Sequence, residues 1–218
     1  MPRPTDIIFD LDGTLIDSAP AILASYREAF DLCGIRPVRP LERDIVGPPL
    51  IRTLELLSGL DDPGILSRLA SAFKADYDSS GLLKTLAYDG VESMLTRLQE
   101  AGFHLHIATN KRFHPTRLIL RHFGWDRFFS SVYALDAFET PLTDKTAMIG
   151  RLLKDEGISP QRARYIGDRK EDGLSSDANA LAFIAATWGY GSIGPEDMRP
   201  NWRKAGSPSA LAELILNY

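Results

Sequence analysis

The feature that most constrains the fold is a short apolar run that ends abruptly in two carboxylates. Residues 5–9 read Thr-Asp-Ile-Ile-Phe, and Asp10-Leu11-Asp12-Gly13 follows them directly. Such a run is typical of a buried β-strand. Side chains two positions apart in an extended backbone point the same way, so Asp10 and Asp12 can face one pocket. Neighbouring carboxylates are costly unless they share a proton or a cation. The pattern therefore indicates a metal site, an acid/base pair or both, with an ordinary Asp-Gly turn as the alternative.

Composition excludes several functional classes. The chain has 218 residues, 25% charged residues and a net charge of −4, which argues against a nucleic-acid partner. No apolar stretch approaches the roughly 20 residues of a membrane span, and we expect no signal peptide or membrane partner. Cys33, the single cysteine, cannot form an internal disulfide, which suits a reducing compartment. We expect a cytoplasmic protein that is a monomer or a homodimer.

From residue 86 onward, apolar strands alternate with helical patterns. After the first strand, the predicted strands cover residues 103–108, 132–135, 164–166 and 182–186. The predicted helices cover residues 91–101, 115–123, 144–156, 174–179 and 209–216. This alternation predicts an α/β fold with a doubly wound, Rossmann-like parallel sheet. Ligands of such sheets bind at the carboxyl ends of the strands.

Between residues 17 and 82 the pattern is helical, with no period-2 segment. Helices are predicted at residues 21–32, 41–45, 50–58 and 61–78. An insert of this length is far longer than an ordinary connection between a strand and a helix. We therefore expect an α/β core of residues 1–16 and 83–218, with a small all-helical domain of residues 17–82 inserted into it.

Polar residues follow the later strands where a phosphate or metal site would lie. Thr109-Asn110 ends the second main strand and offers a hydroxyl, an amide and free N–H groups for phosphate oxygens. Gly167-Asp168 ends another, and Asp172 lies one helical turn further on. Lys145 begins a helix, where a cation opposes the helix dipole, which favours a role as ion partner for Asp10 and phosphate. Each signal has an ordinary structural explanation when taken alone.

Four ordered motifs together resemble the haloacid dehalogenase superfamily, in its phosphoglycolate-phosphatase-like branch. Asp10 to Ser18 is similar to the first signature of that superfamily, and Thr109-Asn110 resembles the second. Lys145 resembles the third signature, and Asp168 with Asp172 the fourth. The resemblance implies a helical cap inserted after the first strand and Mg²⁺ as cofactor.

The resemblance also implies a role for each motif residue. Asp10 would be nucleophile and metal ligand, and Asp12 would be general acid/base with its backbone carbonyl on the metal. Thr109, Asn110 and Lys145 would hold phosphate. Asp168 would bind Mg²⁺, and Asp172 would bind it directly or through water.

Cap residues are candidates for substrate contact. Gly47-Pro48-Pro49-Leu50 resembles the substrate-specificity loop of the family, although a plain rigid turn is the alternative. Arg52, one turn further on, can reach a substrate anion or remain solvated. The Gly/Pro-rich stretch 189–200 is expected to be a loop over or beside the site.

Two positions depart from the family pattern. Arg169-Lys170 stands where many relatives have Ser or Thr, and these cations can attract an anion or pair with Glu171 and Asp172. Ala180 stands where a glycine is common. Neither departure touches the expected chemistry directly.

The sequence thus predicts a Mg²⁺-dependent phosphatase that hydrolyses a small phosphorylated metabolite through an aspartyl-phosphate on Asp10. Phosphoglycolate, nucleotides and sugar phosphates all remain open as substrates. The alternatives are a phosphomutase of the same fold and a non-catalytic binding or regulatory protein, because fold alone does not decide function.

Overall fold

The computed structural model describes residues 4–190 and 193–217, and eight strands lie within them. They are β1 (Asp6–Phe9), β2 (Ile16–Asp17), β3 (Leu86–Ala87), β4 (His104–Thr109), β5 (Phe129–Ala134), β6 (Ala163–Gly167), β7 (Ala182–Ala186) and β8 (Arg203–Ala205). Six of them form one sheet in the order β5-β4-β1-β6-β7-β8, with every pairing parallel. The α/β fold with a parallel sheet is therefore confirmed.

Eight α-helices lie in the same part of the chain. They are α1 (Ala19–Cys33), α2 (Leu50–Ser58), α3 (Pro63–Asp76), α4 (Val91–Glu100), α5 (Phe113–His122), α6 (Lys145–Asp155), α7 (Lys170–Ala178) and α8 (Pro208–Leu216). Asp144 caps α6 by accepting a hydrogen bond from the Ala147 N–H. Among these described helices, none combines the length and the apolar character needed to cross a bilayer.

Helices cover both faces of the sheet because side chains alternate along each strand. On β1, Ile7 and Phe9 belong to the apolar cluster that includes the buried faces of α4, α5 and α8. Ile8 instead belongs to the cluster that contains Met148 and Ile149 of α6. The doubly wound arrangement buries Ile7, Ile8 and Phe9 of β1 and leaves the carboxyl end of the strand as the place where polar groups can meet.

The chain leaves the core through β2 and returns to it through β3, and these two short strands pair with each other. Ile16 and Asp17 of β2 pair antiparallel with Ala87 and Leu86 of β3. Between these two strands the described structure contains only helices, which pack through buried rings such as those of Tyr26, Phe73 and Tyr77. This arrangement supports the predicted helical insert, while its limits at residues 17 and 82 stay a prediction.

Several predicted elements differ from the structure. The helix expected at residues 41–45 is a 3₁₀ turn, Arg43–Ile45, and α3 ends at Asp76 before a π-helical turn, Tyr77–Gly81. Strand β8 was not predicted because its sequence, Arg-Lys-Ala, is charged, as is common at a sheet edge. The two-residue strands β2 and β3 are too short to produce a periodic pattern. Helix α7 begins at Lys170 rather than residue 174.

Candidate active site

The carboxyl ends of three neighbouring strands bring the predicted site residues together. Asp10 follows β1, which lies between β4 and β6. Thr109 is the last residue of β4, and Asp168 follows β6. Lys145 is the first residue of α6. Residues separated by up to 158 positions meet here because parallel strands end at the same edge.

Three carboxylates form a buried group at this edge, which we call the carboxylate cluster: Asp10, Asp168 and Asp172. One oxygen from each lies within 4.8 Å of the other two, and all three residues are at most 3% exposed. Lys145 is equally buried, with its Nζ 3.3 Å from Asp10 Oδ1 and 2.5 Å from Asp172 Oδ1. The lysine therefore pairs with Asp10, as the sequence predicts, and also with Asp172.

Backbone contacts hold Asp168 against the turn that follows β1. Gly13 has φ +82°, and a Cβ there would lie 2.3 Å from Asp168 Oδ2, so only glycine permits this approach. The Tyr190 N–H donates to the same oxygen at 3.0 Å. The predicted loop 189–200 thus begins beside the site, although residues 191 and 192 lie outside the described residues.

Burial and mutual repulsion raise the pKa values of two cluster members. Desolvation raises the pKa of Asp10 to about 6, and the neighbouring Asp172 and Asp12 add to the rise against the opposing effect of Lys145. Desolvation also raises the pKa of Asp168 to about 8, together with Asp172 and Asp10. Burial alone would lower the pKa of Lys145, but Asp10 and Asp172 raise it well above its usual range. The lysine therefore stays charged.

The carboxylate cluster fits a divalent cation such as Mg²⁺. Three carboxylates and one ammonium leave an excess of negative charge in a buried place, which is costly without a further cation. Asp10 Oδ1 is buried and, apart from its ion pair with Lys145, accepts no hydrogen bond. The ligand atoms on offer are carboxylate oxygens, which Mg²⁺ prefers.

Asp12 occupies a different environment from Asp10. Its carboxylate lies outside the carboxylate cluster, and Lys111 Nζ lies 3.1 Å and 3.3 Å from its two oxygens. The Ser18 hydroxyl also donates to Asp12 Oδ1. The role of its backbone carbonyl as a metal ligand, which the resemblance implies, stays a prediction.

Lys111 is a site residue that the sequence analysis did not select. Its side chain is 5% exposed and also donates to the hydroxyl oxygen of Tyr77, at 2.7 Å. Burial alone would lower the pKa of Lys111, but Asp12 and Tyr77 raise it above its usual value. Its position directly after Asn110 could have indicated this role, because a cation at the end of β4 lies at the same edge of the sheet as Asp12.

A cleft with a cavity volume of about 50 Å³ lies between the core and the helical insert and is partly open to solvent. Asp12 and Lys111 line it on the core side, and apolar and aromatic side chains line much of the rest. Gly47 and Pro48 form part of its wall, while their contact with substrate stays a prediction, and the Asn110 amide donates to the Gly47 carbonyl at 3.2 Å. Arg52 is exposed on α2 and is not among the described residues that line the cleft.

Arg169 and Lys170 depart from the family pattern. Their side chains form no ion pair with Glu171 or Asp172. The Arg169 guanidinium donates to the backbone carbonyls of Val46 and, at 3.1 Å, Asp44. Lys170 forms an exposed ion pair with Asp197 at 2.6 Å. The backbone of Arg169, rather than its side chain, contacts Asp172. Its N–H donates to Asp172 Oδ2 at 3.0 Å, and its carbonyl accepts from the Asp172 N–H at 3.0 Å.

Comparisons with known proteins agree with this geometry. The family model described as haloacid dehalogenase-like hydrolase matches residues 7–186. A phosphoglycolate phosphatase of Rhodobacter capsulatus is 33% identical over 223 aligned positions that cover 96% of this chain and 95% of that protein. A crystal structure described as a predicted phosphatase from Clostridium acetobutylicum superposes with a TM-score of 0.87 at 28% identity, covering 99% of this chain and 100% of that one.

A further relative carries a different name. The tyrosine-protein kinase PtkA of Mycobacterium tuberculosis is 35% identical over 189 residues, which are 86% of this chain. The match spans 64% of that kinase's length, so the kinase is considerably longer than the part it shares. The family match covers most of the chain and includes the motifs at the ends of β1, β4 and β6. The chain belongs to the haloacid dehalogenase-like hydrolases.

Proposed function

We propose that this protein is a Mg²⁺-dependent phosphatase that hydrolyses small phosphomonoesters through an aspartyl-phosphate on Asp10. The observation that carries the proposal is the carboxylate cluster with Lys145 at its centre, next to a cleft that Asp12 lines. A buried nucleophile, a cation and a separate carboxylate are the groups that phosphoryl transfer through a covalent intermediate requires.

In the first step, an Asp10 carboxylate oxygen bonds to phosphorus while the ester P–O bond breaks. Asp12 donates a proton to the leaving alkoxide, which leaves as an alcohol. Lys145, Thr109 and Asn110 hold the phosphoryl oxygens, and the ion pair of Lys145 with Asp10 keeps the nucleophile ionised.

In the second step, Asp12 takes a proton from a water molecule. The oxygen of that water bonds to phosphorus while the bond between phosphorus and Asp10 breaks. Inorganic phosphate leaves, and both carboxylates return to their initial state. The two aspartates thus need different surroundings: Asp10 beside Lys145, and Asp12 facing the cleft and Lys111.

Mg²⁺ would be held by Asp10, Asp168, Asp172 and the backbone carbonyl of Asp12, with Asp172 contacting it directly or through water. When bound, it supplies the positive charge that lets a carboxylate approach a phosphate dianion.

The substrate class is proposed from the lining of the cleft and from the relatives. The cleft combines charged groups with apolar and aromatic walls, which suits a small phosphorylated metabolite such as a phosphoglycolate-like molecule, a nucleotide or a sugar phosphate. The phosphoglycolate phosphatase relative supports a small metabolite. We further propose that residues 17–82 form a cap that closes over this substrate, and that the protein is cytoplasmic and monomeric or homodimeric.

A panel of phosphorylated metabolites tests the proposed function. Phosphate release is measured with Mg²⁺, with EDTA, and after Mg²⁺ is restored, in the native chain and in Asp168→Asn. We expect release only with Mg²⁺ and a large loss in the variant. Transfer of phosphate to a sugar instead of water would indicate a phosphomutase. Absence of both activities across the panel would indicate a binding or regulatory protein and would overturn the proposal.

A further inference from the structure

The inference concerns the segment of residues 44–47, which we call the wall segment. Three of its residues, Ile45, Val46 and Gly47, line the cleft. Core side chains donate hydrogen bonds to the backbone carbonyls of Asp44, Val46 and Gly47, while the Val46 side chain is buried in the apolar core. The position of the segment therefore depends on polar contacts to its backbone as well as on apolar packing.

Arg169 makes most of the hydrogen bonds that hold the wall segment. Its guanidinium donates to the carbonyls of Val46 and Asp44, and its stem packs against Gly47. A Cβ at Gly47 would lie 2.7 Å from Arg169 Cδ, so the close approach depends on glycine there. A further hydrogen bond to the wall segment comes from the Asn110 amide, which donates to the Gly47 carbonyl.

Arg169 also lies between two members of the carboxylate cluster, Asp168 after β6 and Asp172 on α7. It follows Asp168 directly, and its backbone N–H donates to Asp172 Oδ2 at 3.0 Å. The same residue therefore connects the carboxylate cluster, through its backbone, with the wall of the cleft, through its side chain. Hydrogen bonds from a charged donor are stronger than neutral ones, so two of them are enough to hold a short segment.

We propose that Arg169 is a positioning residue that latches the wall segment onto the core and thereby sets the shape of the substrate cleft. Substrate affinity depends on this latch, whereas the chemical step at Asp10 does not require it. The kinetic part of the inference rests on the proposed function, but the structural part does not.

The test uses three variants of the full chain. Arg169→Met keeps the stem that packs against Gly47 and removes the donors. Arg169→Lys keeps the charge with a single ammonium, which can reach one carbonyl. Lys170→Met is the matched control, because it removes the neighbouring cation, whose partner is Asp197 rather than the wall segment.

The first measurement is amide hydrogen exchange without substrate. The Ile45 and Val46 amides donate to the carbonyls of Glu42 and Arg43 within the 3₁₀ turn, so they report opening of the segment. We expect exchange about tenfold faster in Arg169→Met, intermediate in Arg169→Lys and unchanged in Lys170→Met. Equal exchange in Arg169→Met and the native chain would overturn the latch.

The second measurement is steady-state hydrolysis of para-nitrophenyl phosphate with Mg²⁺. We expect Arg169→Met to raise KM about tenfold and to change kcat less than about threefold, with partial rescue in Arg169→Lys. A residue that only stabilised the fold would lower Tm and leave KM at the value of Lys170→Met, which would also overturn the proposal. If the native chain hydrolyses nothing, the proposed function fails while the exchange result still decides the latch.

Discussion

The two halves of the candidate site use the same residue types in opposite ways. In the carboxylate cluster, Asp10 shares one lysine with Asp172, and Asp168 lies within 4.8 Å of both carboxylates. All of these residues belong to the core. On the other side, which we call the cap-facing half, Asp12 has Lys111 at both oxygens, and that lysine extends to Tyr77 of the helical insert. One half has excess negative charge, and the other is balanced.

This difference separates two requirements of the proposed reaction. A negative, buried cluster on rigid strand ends favours a metal ion and a nucleophile. The pair of Asp12 and Lys111 is balanced, and its link to the helical insert is the hydrogen bond from Lys111 to Tyr77. Charge at the carboxylate cluster is therefore set by the core, while the surroundings of Asp12 include a contact with the insert.

The largest effect is expected for Asp10→Asn. The amide cannot attack phosphorus, so turnover of para-nitrophenyl phosphate should fall by about a thousandfold or more. The fold should not suffer, because Asn has the same shape and removes one charge from a crowded cluster. Thermal unfolding without metal checks this second expectation. Asp44→Asn, an exposed position whose backbone carbonyl is the contact, is the control for both measurements. Normal turnover in Asp10→Asn would refute the nucleophile role.

Lys111→Met tests the cap-facing half. Asp12 would lose its cationic partner, and kcat should fall by roughly a hundredfold because the acid/base group is no longer held in place. Mg²⁺ affinity, measured by calorimetry, should stay within about threefold of the native value, since the carboxylate cluster is untouched. Tyr77→Phe removes only one hydrogen bond of Lys111 and should cost less. A large loss of Mg²⁺ affinity in Lys111→Met would show that the two halves are not separable.

The pH dependence of the free energy of unfolding should report on the carboxylate cluster without any substrate. The native pKa values of Asp10 and Asp168, about 6 and about 8, exceed the ordinary 3.8. Between 3.8 and those values the native state keeps protons that the unfolded chain releases, so stability in EDTA falls as the pH rises. We expect a loss of at least about 1 kcal/mol between pH 4 and pH 8 in denaturant titrations.

Mg²⁺ should counter this loss, because it binds the ionised cluster. Its stabilising effect should be larger at pH 8 than at pH 5, since fewer protons compete with it. In Asp168→Asn the slope of stability against pH in EDTA should flatten. A stability that rises with pH in EDTA would contradict the assignment of raised pKa values to the cluster.

The carboxylate cluster could be predicted from the sequence because its geometry follows from a rule. Asp10, Thr109 and Asp168 each end a strand, and parallel strands bring those ends together. Lys145 was identifiable because a lysine at a helix start is electrostatically unfavourable without a partner. Local pattern and general topology were enough for this half of the site.

The contacts between the core and the insert could not be predicted in the same way. Arg169 was noticed as a departure, yet its acceptors are backbone carbonyls 123 and 125 positions away, and carbonyls carry no sequence signal. Lys111 reaches Tyr77 because the chain takes a π-helical turn at residues 77–81, which helical periodicity does not indicate. The packing of the insert against the core decides both contacts.

Ala180 offers the smallest effect and a control outside both halves. It lies just after α7, with φ +55°, a left-handed conformation that costs a residue with a Cβ about 1 kcal/mol. Ala180→Gly removes that strain and adds some backbone entropy to the unfolded chain, so we expect a net gain of about 0.5 kcal/mol in unfolding free energy. Asp172 lies near the start of α7, and Ala180 follows the end of the same helix. The variant therefore also tests whether the carboxylate cluster depends on the backbone conformation at that end. An unchanged kcat and Mg²⁺ affinity would mean that the position of Asp172 does not depend on the conformation at the end of α7. A change in either would mean that the geometry of the carboxylate cluster depends on the conformation of the whole helix.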